Sequence, residues 1–193
     1  VTRPHPDDAT TAEALRARGF AVLRAPMLRL EPLPFHDDME AAYGAVIVTS
    51  ANALRAIAPQ LANHRLLGLP LLAVGDNTAA AARDAGFGKV IASKGDAGAL
   101  RDLVVARAKS KQLKKSSPIL YLAGADLARD LAGELGARGF TVVTQTTYRM
   151  APAPSLPALP ARNGQPRPAP DASTAEKVSR LRTELERREE QAR

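Results

Sequence analysis

Two junctions in this chain combine residue types that can hold an anion. The first runs Val46-Ile47-Val48-Thr49-Ser50-Ala51-Asn52-Ala53, and the second runs Leu72-Ala73-Val74-Gly75-Asp76-Asn77-Thr78-Ala79-Ala80. In each, an apolar run ends in small hydroxyl or amide residues and turns at once into an alanine-rich run. Ser50, Asn52 and Thr78 supply short donors and acceptors, and Gly75 permits a tight turn or a close backbone approach. A helix starting there presents unpaired N–H groups and the positive end of its dipole, and both favour negative charge. The simpler role of Ser50, and of Thr78 with Asp76 and Asn77, is helix N-capping, which those residue types do best. A third junction, Leu122-Ala123-Gly124-Ala125-Asp126, puts Gly124 at a similar turn, with Asp126 as the cap of the helix that follows. Tyr148, one of three tyrosines, lies just past the run from Phe140 to Thr147. A phenol there can donate a proton or pack a junction between domains.

Other chemistries lack their groups. The chain has no cysteine, so disulfides, thiolate catalysis and cysteine-type zinc sites are excluded, and a reducing cytoplasm is the expected setting. His5, His36 and His64 have no metal-ligand spacing, so no metal is expected. Neither the phosphate-loop nor the dinucleotide glycine pattern occurs, and no serine elbow suggests a hydrolase. The net charge of +7 favours an anionic partner by electrostatic steering. The densest basic run, from Lys109 to Lys115, carries no interleaved aromatics for base stacking and reads as a solvated helix end, so no nucleic acid is expected. No apolar stretch reaches the roughly 20 residues that span a bilayer, and no membrane partner is expected. The opening Val1-Thr2-Arg3-Pro4 lacks a signal pattern, and a start at Val rather than Met suggests a clipped or alternative start.

The elements that must position these residues show as a repeat. Ala14-Leu15-Arg16-Ala17-Arg18-Gly19-Phe20-Ala21-Val22 is similar to Glu134-Leu135-Gly136-Ala137-Arg138-Gly139-Phe140-Thr141-Val142, and Ala80 to Phe87 is a third version. In each, a helix ends at a glycine suited to a left-handed C-terminal position, and a phenylalanine packs as the next strand begins. Strands are predicted near 20–24, 45–49, 71–74, 89–92, 118–122 and 140–145, and helices near 8–18, 51–62, 77–86, 97–113 and 126–138. The fold class is α/β. Residues 35–147 form a complete flavodoxin-like, doubly wound parallel sheet domain. Residues 1–34 hold part of a second, similar domain, too small to bury a core alone, with Pro26 to Pro34 as a crossing linker. Seven of the fifteen prolines fall in 151–170, so 148–172 reads as an extended linker. Residues 173–193 read as a charged amphipathic helix, with Glu176–Arg180 and Glu184–Arg188 as favourable pairs. A monomer is expected, the tail helix being the one element that could pair two copies.

Taken together, Val1-Thr2-Arg3-Pro4, Thr49-Ser50-Ala51-Asn52-Ala53, Ala73 to Ala79, Leu120-Tyr121-Leu122-Ala123-Gly124 and Thr147-Tyr148-Arg149 resemble the bacterial uroporphyrinogen-III synthases in order and spacing over about residues 1–150. The resemblance implies two α/β domains joined by a two-stranded linker, with the active site in the cleft between them. It implies a linear tetrapyrrole substrate, hydroxymethylbilane, which is a polycarboxylate. It implies cyclisation with loss of water and inversion of the last ring through a spiro intermediate, without a cofactor. By position, Tyr148 matches the family tyrosine that assists departure of the hydroxyl group. Ser50 and Thr78 match substrate-contacting cleft residues, and Arg3 matches a basic position at the cleft lip. Asn52, Gly75 and Gly124 fall within the matching turns as substrate-binding positions. After Arg149 the family's return strands are not recognisable, and a truncated or rearranged C-terminus is expected. The alternative is a non-catalytic interaction module built on the α/β domain and the C-terminal helix. A weaker one is another anion-binding α/β protein, such as a phosphosugar or nucleotide binder.

Overall fold

Val46, Ile47 and Val48 are fully buried, as a strand covered on both faces must be. They belong to β2 (Ala45–Val48), which is joined in one sheet by β3 (Pro70–Val74), β4 (Lys89–Ser93), β5 (Ile119–Gly124) and β6 (Val142–Pro152), all parallel. A further strand, β1 (Leu28–Pro32), pairs antiparallel with the last residues of β6, Tyr148 to Pro152. The sheet order is β1-β6-β5-β2-β3-β4. These elements come from a computed structural model that describes residues 1–36, 38 and 40–154.

Alternation along each strand sorts the core into two layers. Val46, Val48, Leu71, Leu120 and Leu122 face α2 (Ala51–Ile57) and α3 (Gly75–Asp84), while Ala45, Ile47, Leu72, Ile119 and Tyr121 face α4 (Ala97–Lys109) and α5 (Leu131–Gly136). An α/β fold with a six-stranded sheet results. The lateral order differs from a flavodoxin-like one, in which the first strand is second from the edge. Here the first parallel strand, β2, is central among the five parallel strands, with β3 and β4 to one side and β5 and β6 to the other. Sequence periodicity identifies strands but carries no signal for which neighbour each selects.

Several expected boundaries move. The stretch Pro26 to Pro34, read as a linker, contains β1, and β6 continues through Tyr148 into the expected proline-rich segment. Residues 20–24 form no strand. Val1 nevertheless spans that segment: its amino group donates to Leu23 O at 2.7 Å, and its carbonyl accepts from Ala25 N–H at 2.8 Å. The helix expected over 126–138 starts only at Leu131, because Asp130 rather than Asp126 is the cap, accepting from Gly133 N–H at 2.8 Å. Asp76, Asn77 and Thr78 cap nothing: α3 begins at Gly75, whose φ of +71° makes the turn, and Thr78 lies buried within the helix. The helix expected over 173–193 lies outside the described residues.

The three repeated hinges close alike. Leu15, Ala82 and Leu135 carbonyls accept from the N–H groups of Phe20, Phe87 and Phe140 at 3.2, 3.1 and 3.2 Å, across glycines with φ of +84°, +99° and +82°. This is the left-handed helix end that glycine permits. Phe87 and Phe140 are 3% and 5% exposed, but Phe20 is 59% exposed, because its hinge has no sheet layer to enter among the described residues. The helix α1 (Asp7–Arg16) buries Ala12 and one carboxylate. Asp8 is buried, and Arg24 grips its Oδ2 from Nε and Nη2, both at 2.7 Å. Burial pushes the Asp8 carboxyl up, but the Arg24 hydrogen bond and charge outweigh it and hold it below its ordinary value.

Candidate functional site

A cavity of about 660 Å³ opens where the carboxyl ends of β2 and β3 meet α1. Its size is that of an ordinary small-ligand site. Arg3, Asp7 and Thr11 line it from the α1 side, Thr49, Ser50, Asn52 and Arg55 from the first junction, and Asn77 and Thr78 from the second. The strand-to-helix turns therefore bring four expected residues together: Arg3, Ser50, Asn52 and Thr78. Gly75, Gly124 and Tyr148 are not among the lining residues.

Ser50 has the capping role its type suggests. It is extended (φ −145°), and its Oγ accepts from Asn52 N–H at 3.2 Å. The side chain of Asn52 is thereby left to Arg55, whose Nη1 donates to Asn52 Oδ1 at 2.8 Å. The Arg55 Nη2 donates to Asp7 Oδ1 at 3.0 Å, so an ion pair crosses the cavity from α2 to α1. Arg3 approaches the other Asp7 oxygen at 3.6 Å and donates to Thr11 Oγ1 at 3.3 Å. One carboxylate thus sits between two guanidinium groups at the cavity wall. Arg55 is the residue that sequence reasoning missed. Its signal was its spacing: it lies three residues after Asn52, on the same helix face.

Tyr148 does not line this cavity but lies at the same, carboxyl end of the sheet, opposite Gly124 on β5. The β5–β6 register shifts between Ala123 and Gly124: Ala123 pairs with Thr146 and Gly124 with Tyr148, leaving Thr147 as an extra residue. Such a bulge re-aims the side chains beside it. Thr147 is fully buried, and its Oγ1 donates to the carbonyls of Ala53 at 3.2 Å and Ala123 at 3.3 Å. The Tyr148 ring then lies flush on Gly124, where a Cβ would come within 2.7 Å of Tyr148 Cζ. Gly124 is thus a seat for the tyrosine. The connection onward to the cavity runs through Tyr121, whose hydroxyl is 3.1 Å from Thr49 Oγ1. Burial pushes the Tyr121 phenol above its ordinary value, the Thr49 contact opposes this, and the nearby Tyr148 adds to it.

Among the described residues, no group of three or more His, Asp or Glu could hold a metal ion, and no helix is long and apolar enough to cross a membrane. The wall combines hydroxyls, the amides of Asn52 and Asn77, the guanidiniums of Arg3 and Arg55 suited to carboxylate groups, the carboxylates of Asp7 and Asp84, and apolar alanine and leucine surface.

Residues 9–167 match the family model described as uroporphyrinogen-III synthase HemD. The match leaves out Arg3 and continues past Arg149 into the proline-rich stretch. Among solved structures, a mutant uroporphyrinogen III synthase from the extremely thermophilic bacterium Thermus thermophilus superposes with a TM-score of 0.50 at 20% identity, over 77% of this chain and 60% of that chain. The uroporphyrinogen-III synthetase from Helicobacter pylori gives a TM-score of 0.49 at 20% identity, over 72% of this chain and 58% of that one. At such identities the Thermus likeness is one of fold. The chain spans about 60% of the length of the solved structures it matches. No curated protein matches it in sequence.

Proposed function

This chain belongs to the uroporphyrinogen-III synthase family, and on that premise we propose that it cyclises hydroxymethylbilane to uroporphyrinogen III in tetrapyrrole biosynthesis. The observation that carries the reading is the family match over residues 9–167. The cavity at the carboxyl ends of β2 and β3 supports it, with two arginines, two amides and several hydroxyls facing, beside Asp7 and Asp84, a space large enough for part of a polycarboxylate.

In this reading Arg55 and Arg3 bind substrate carboxylates, competing with Asp7 for them. Ser50, Asn52 and Thr78 position the chain at the two turns, and Gly75 and Gly124 keep the backbone close. Tyr148 donates its phenolic proton to the departing hydroxyl group, so that the C–O bond breaks with loss of water. The positive charge spreads over the adjoining pyrrole, and a ring carbon attacks the freed methylene. Rearrangement through the spiro intermediate inverts the last ring, and a final proton loss restores the aromatic system. The reaction as written needs no cofactor.

The five parallel strands with helices on both faces fit one doubly wound domain spanning about residues 35–147. Residues 1–34 fit a portion of a first domain, with the antiparallel pair of β1 and the end of β6 as part of the connection to it. A monomer that binds neither nucleic acid nor membrane, in the cytoplasm, is consistent with the cysteine-free sequence and the polar cleft. The test is enzymatic. Freshly generated hydroxymethylbilane is supplied to the full chain, and the oxidised products are separated by chromatography. Type III isomer above a protein-free blank supports the reading. Type I alone, which forms spontaneously, from a chain with a folded circular dichroism spectrum contradicts it.

A further inference from the structure

A second cavity, of about 600 Å³, opens at the opposite, amino end of the sheet. It has no part in the cleft just described, since none of its lining residues is shared with it. Its floor is apolar: Leu72 and Leu113 are buried, and Ile91 lies beside Leu72 in the β3–β4 register. Lys89, Arg107 and Lys114 also line it, and no Asp or Glu does.

The cations here are not balanced by the fold. Among the described residues, Lys89 and Lys114 make no ion pair and no side-chain hydrogen bond. Arg107 spends one N–H on the neutral Gln112 Oε1, at 2.6 Å, and meets no carboxylate. Lys89 is two residues before Ile91 on β4, so both side chains leave the same face of the sheet. That geometry puts the ammonium group over the mouth of an apolar pocket. Three like charges around one opening repel each other, and an entering anion relieves that repulsion while its apolar part covers Leu72, Ile91 and Leu113.

We propose that this cavity binds an amphipathic organic anion, its acidic group on Lys89, Arg107 and Lys114 and its apolar body on the floor between β3, β4 and Leu113. The ligand class is set by the two halves of the site together. A small inorganic anion leaves the floor wet, and a neutral apolar molecule leaves the cations unmet.

The experiment titrates the full chain with 8-anilinonaphthalene-1-sulfonate by fluorescence, beside N-phenyl-1-naphthylamine, the same aromatic body without the sulfonate. The expected result is saturable one-site binding of the sulfonate, at least tenfold tighter than the neutral compound. The double variant Lys89→Glu/Lys114→Glu should weaken the sulfonate at least tenfold and leave the neutral compound unchanged. The charge-conserving Lys89→Arg/Lys114→Arg should bind as the unaltered chain does. The two lysines are exposed, so all forms should share one circular dichroism spectrum. Equal binding of the two compounds overturns the proposal, as does sulfonate binding that survives charge reversal. Loss of binding in Arg3→Glu/Arg55→Glu, or in Phe20→Ser/Met27→Ser, also overturns it, by moving the ligand to the cleft or to the exposed apolar residues around α1.

Discussion

At the scale of single residues, Gly124 and Tyr148 form one unit. The Tyr148 ring tip occupies the space a Cβ at Gly124 would take. Gly124→Ala therefore pushes aside a side-chain end rather than backbone, and we expect it to cost less than about 1 kcal/mol in urea unfolding. The displaced phenol should nevertheless slow turnover, as Tyr148→Phe should by about 10²-fold or more for a positioned acid. A Tyr148→Phe rate equal to the unaltered one removes the phenol from the chemistry. Asp7 and Arg55 make an opposed pair of expectations. Arg55→Ala loses a charge-assisted contact of about 1.5 kcal/mol and should raise KM about tenfold. Asp7→Asn frees both guanidinium groups and should lower KM, whereas a raised KM would make Asp7 a necessary brace for Arg55. Ser50, Asn52 and Thr78 stood out as small polar residues at strand-to-helix turns, where Ser50 is the N-cap of α2 and Thr78 caps nothing. Arg55 was not, because one arginine on a helix resembles any other until the fold brings Asp7 to it.

At the scale of elements, the bulge at Thr147 ties β6 to α2. Thr147→Val keeps the shape and removes the hydroxyl shared with the Ala53 and Ala123 carbonyls. We expect a loss of about 1–2 kcal/mol in urea unfolding, and no loss would make the bulge a matter of backbone alone. The α4–α5 layer is held by Glu134, whose carboxylate accepts from Arg129 at 2.5 and 3.0 Å and from Arg101 at 2.7 Å. The Arg129 hydrogen bonds, followed by that of Arg101, hold its carboxyl down to about 2. A lowered carboxyl pKa contributes stability above the ordinary glutamate value, and that stability is lost as pH falls toward about 2. Glu134→Gln should accordingly flatten the acid limb of the stability curve over that window, read as urea midpoints against pH. An unchanged limb would contradict the network's role. Helix starts at Ala51 and Ala97 fall where the sequence puts them, and every expected end overruns the observed one by two to five residues. The Gly-Phe hinges announce themselves by residue type, whereas Asp126 and Asp130 are equally good caps in sequence, and packing of Leu131 and Leu135 into the core selects the second. The strand β1 was hidden for a related reason. Pro26, Pro32 and Pro34, in and around it, read as a linker, and its pairing with β6 is a long-range contact with no local signal.

At the scale of the whole molecule, one layer is unequal to the others. Phe87 and Phe140 enter cores while Phe20 stays 59% exposed, and Met27 and Leu28 are also exposed, at 50% and 41%. On the cleft wall α1 meets α2 through the Asp7–Arg55 ion pair, Asp8 pairs with Arg24 within the N-terminal segment, and Ala12 is fully buried. The sequence repeat showed that α1 ends as α3 and α5 do, at a glycine followed by a phenylalanine. It could not show where α1 would sit, because its ion pair to α2 joins Asp7 and Arg55, 48 residues apart. The most direct measurement is the isomer ratio formed from fresh hydroxymethylbilane by the full chain and by Arg55→Glu, assayed side by side with matched circular dichroism spectra. Type III product from the unaltered chain, falling to the protein-free blank in Arg55→Glu, is the expected result. Equal type III rates from both proteins would contradict the assignment of the chemistry to this cleft.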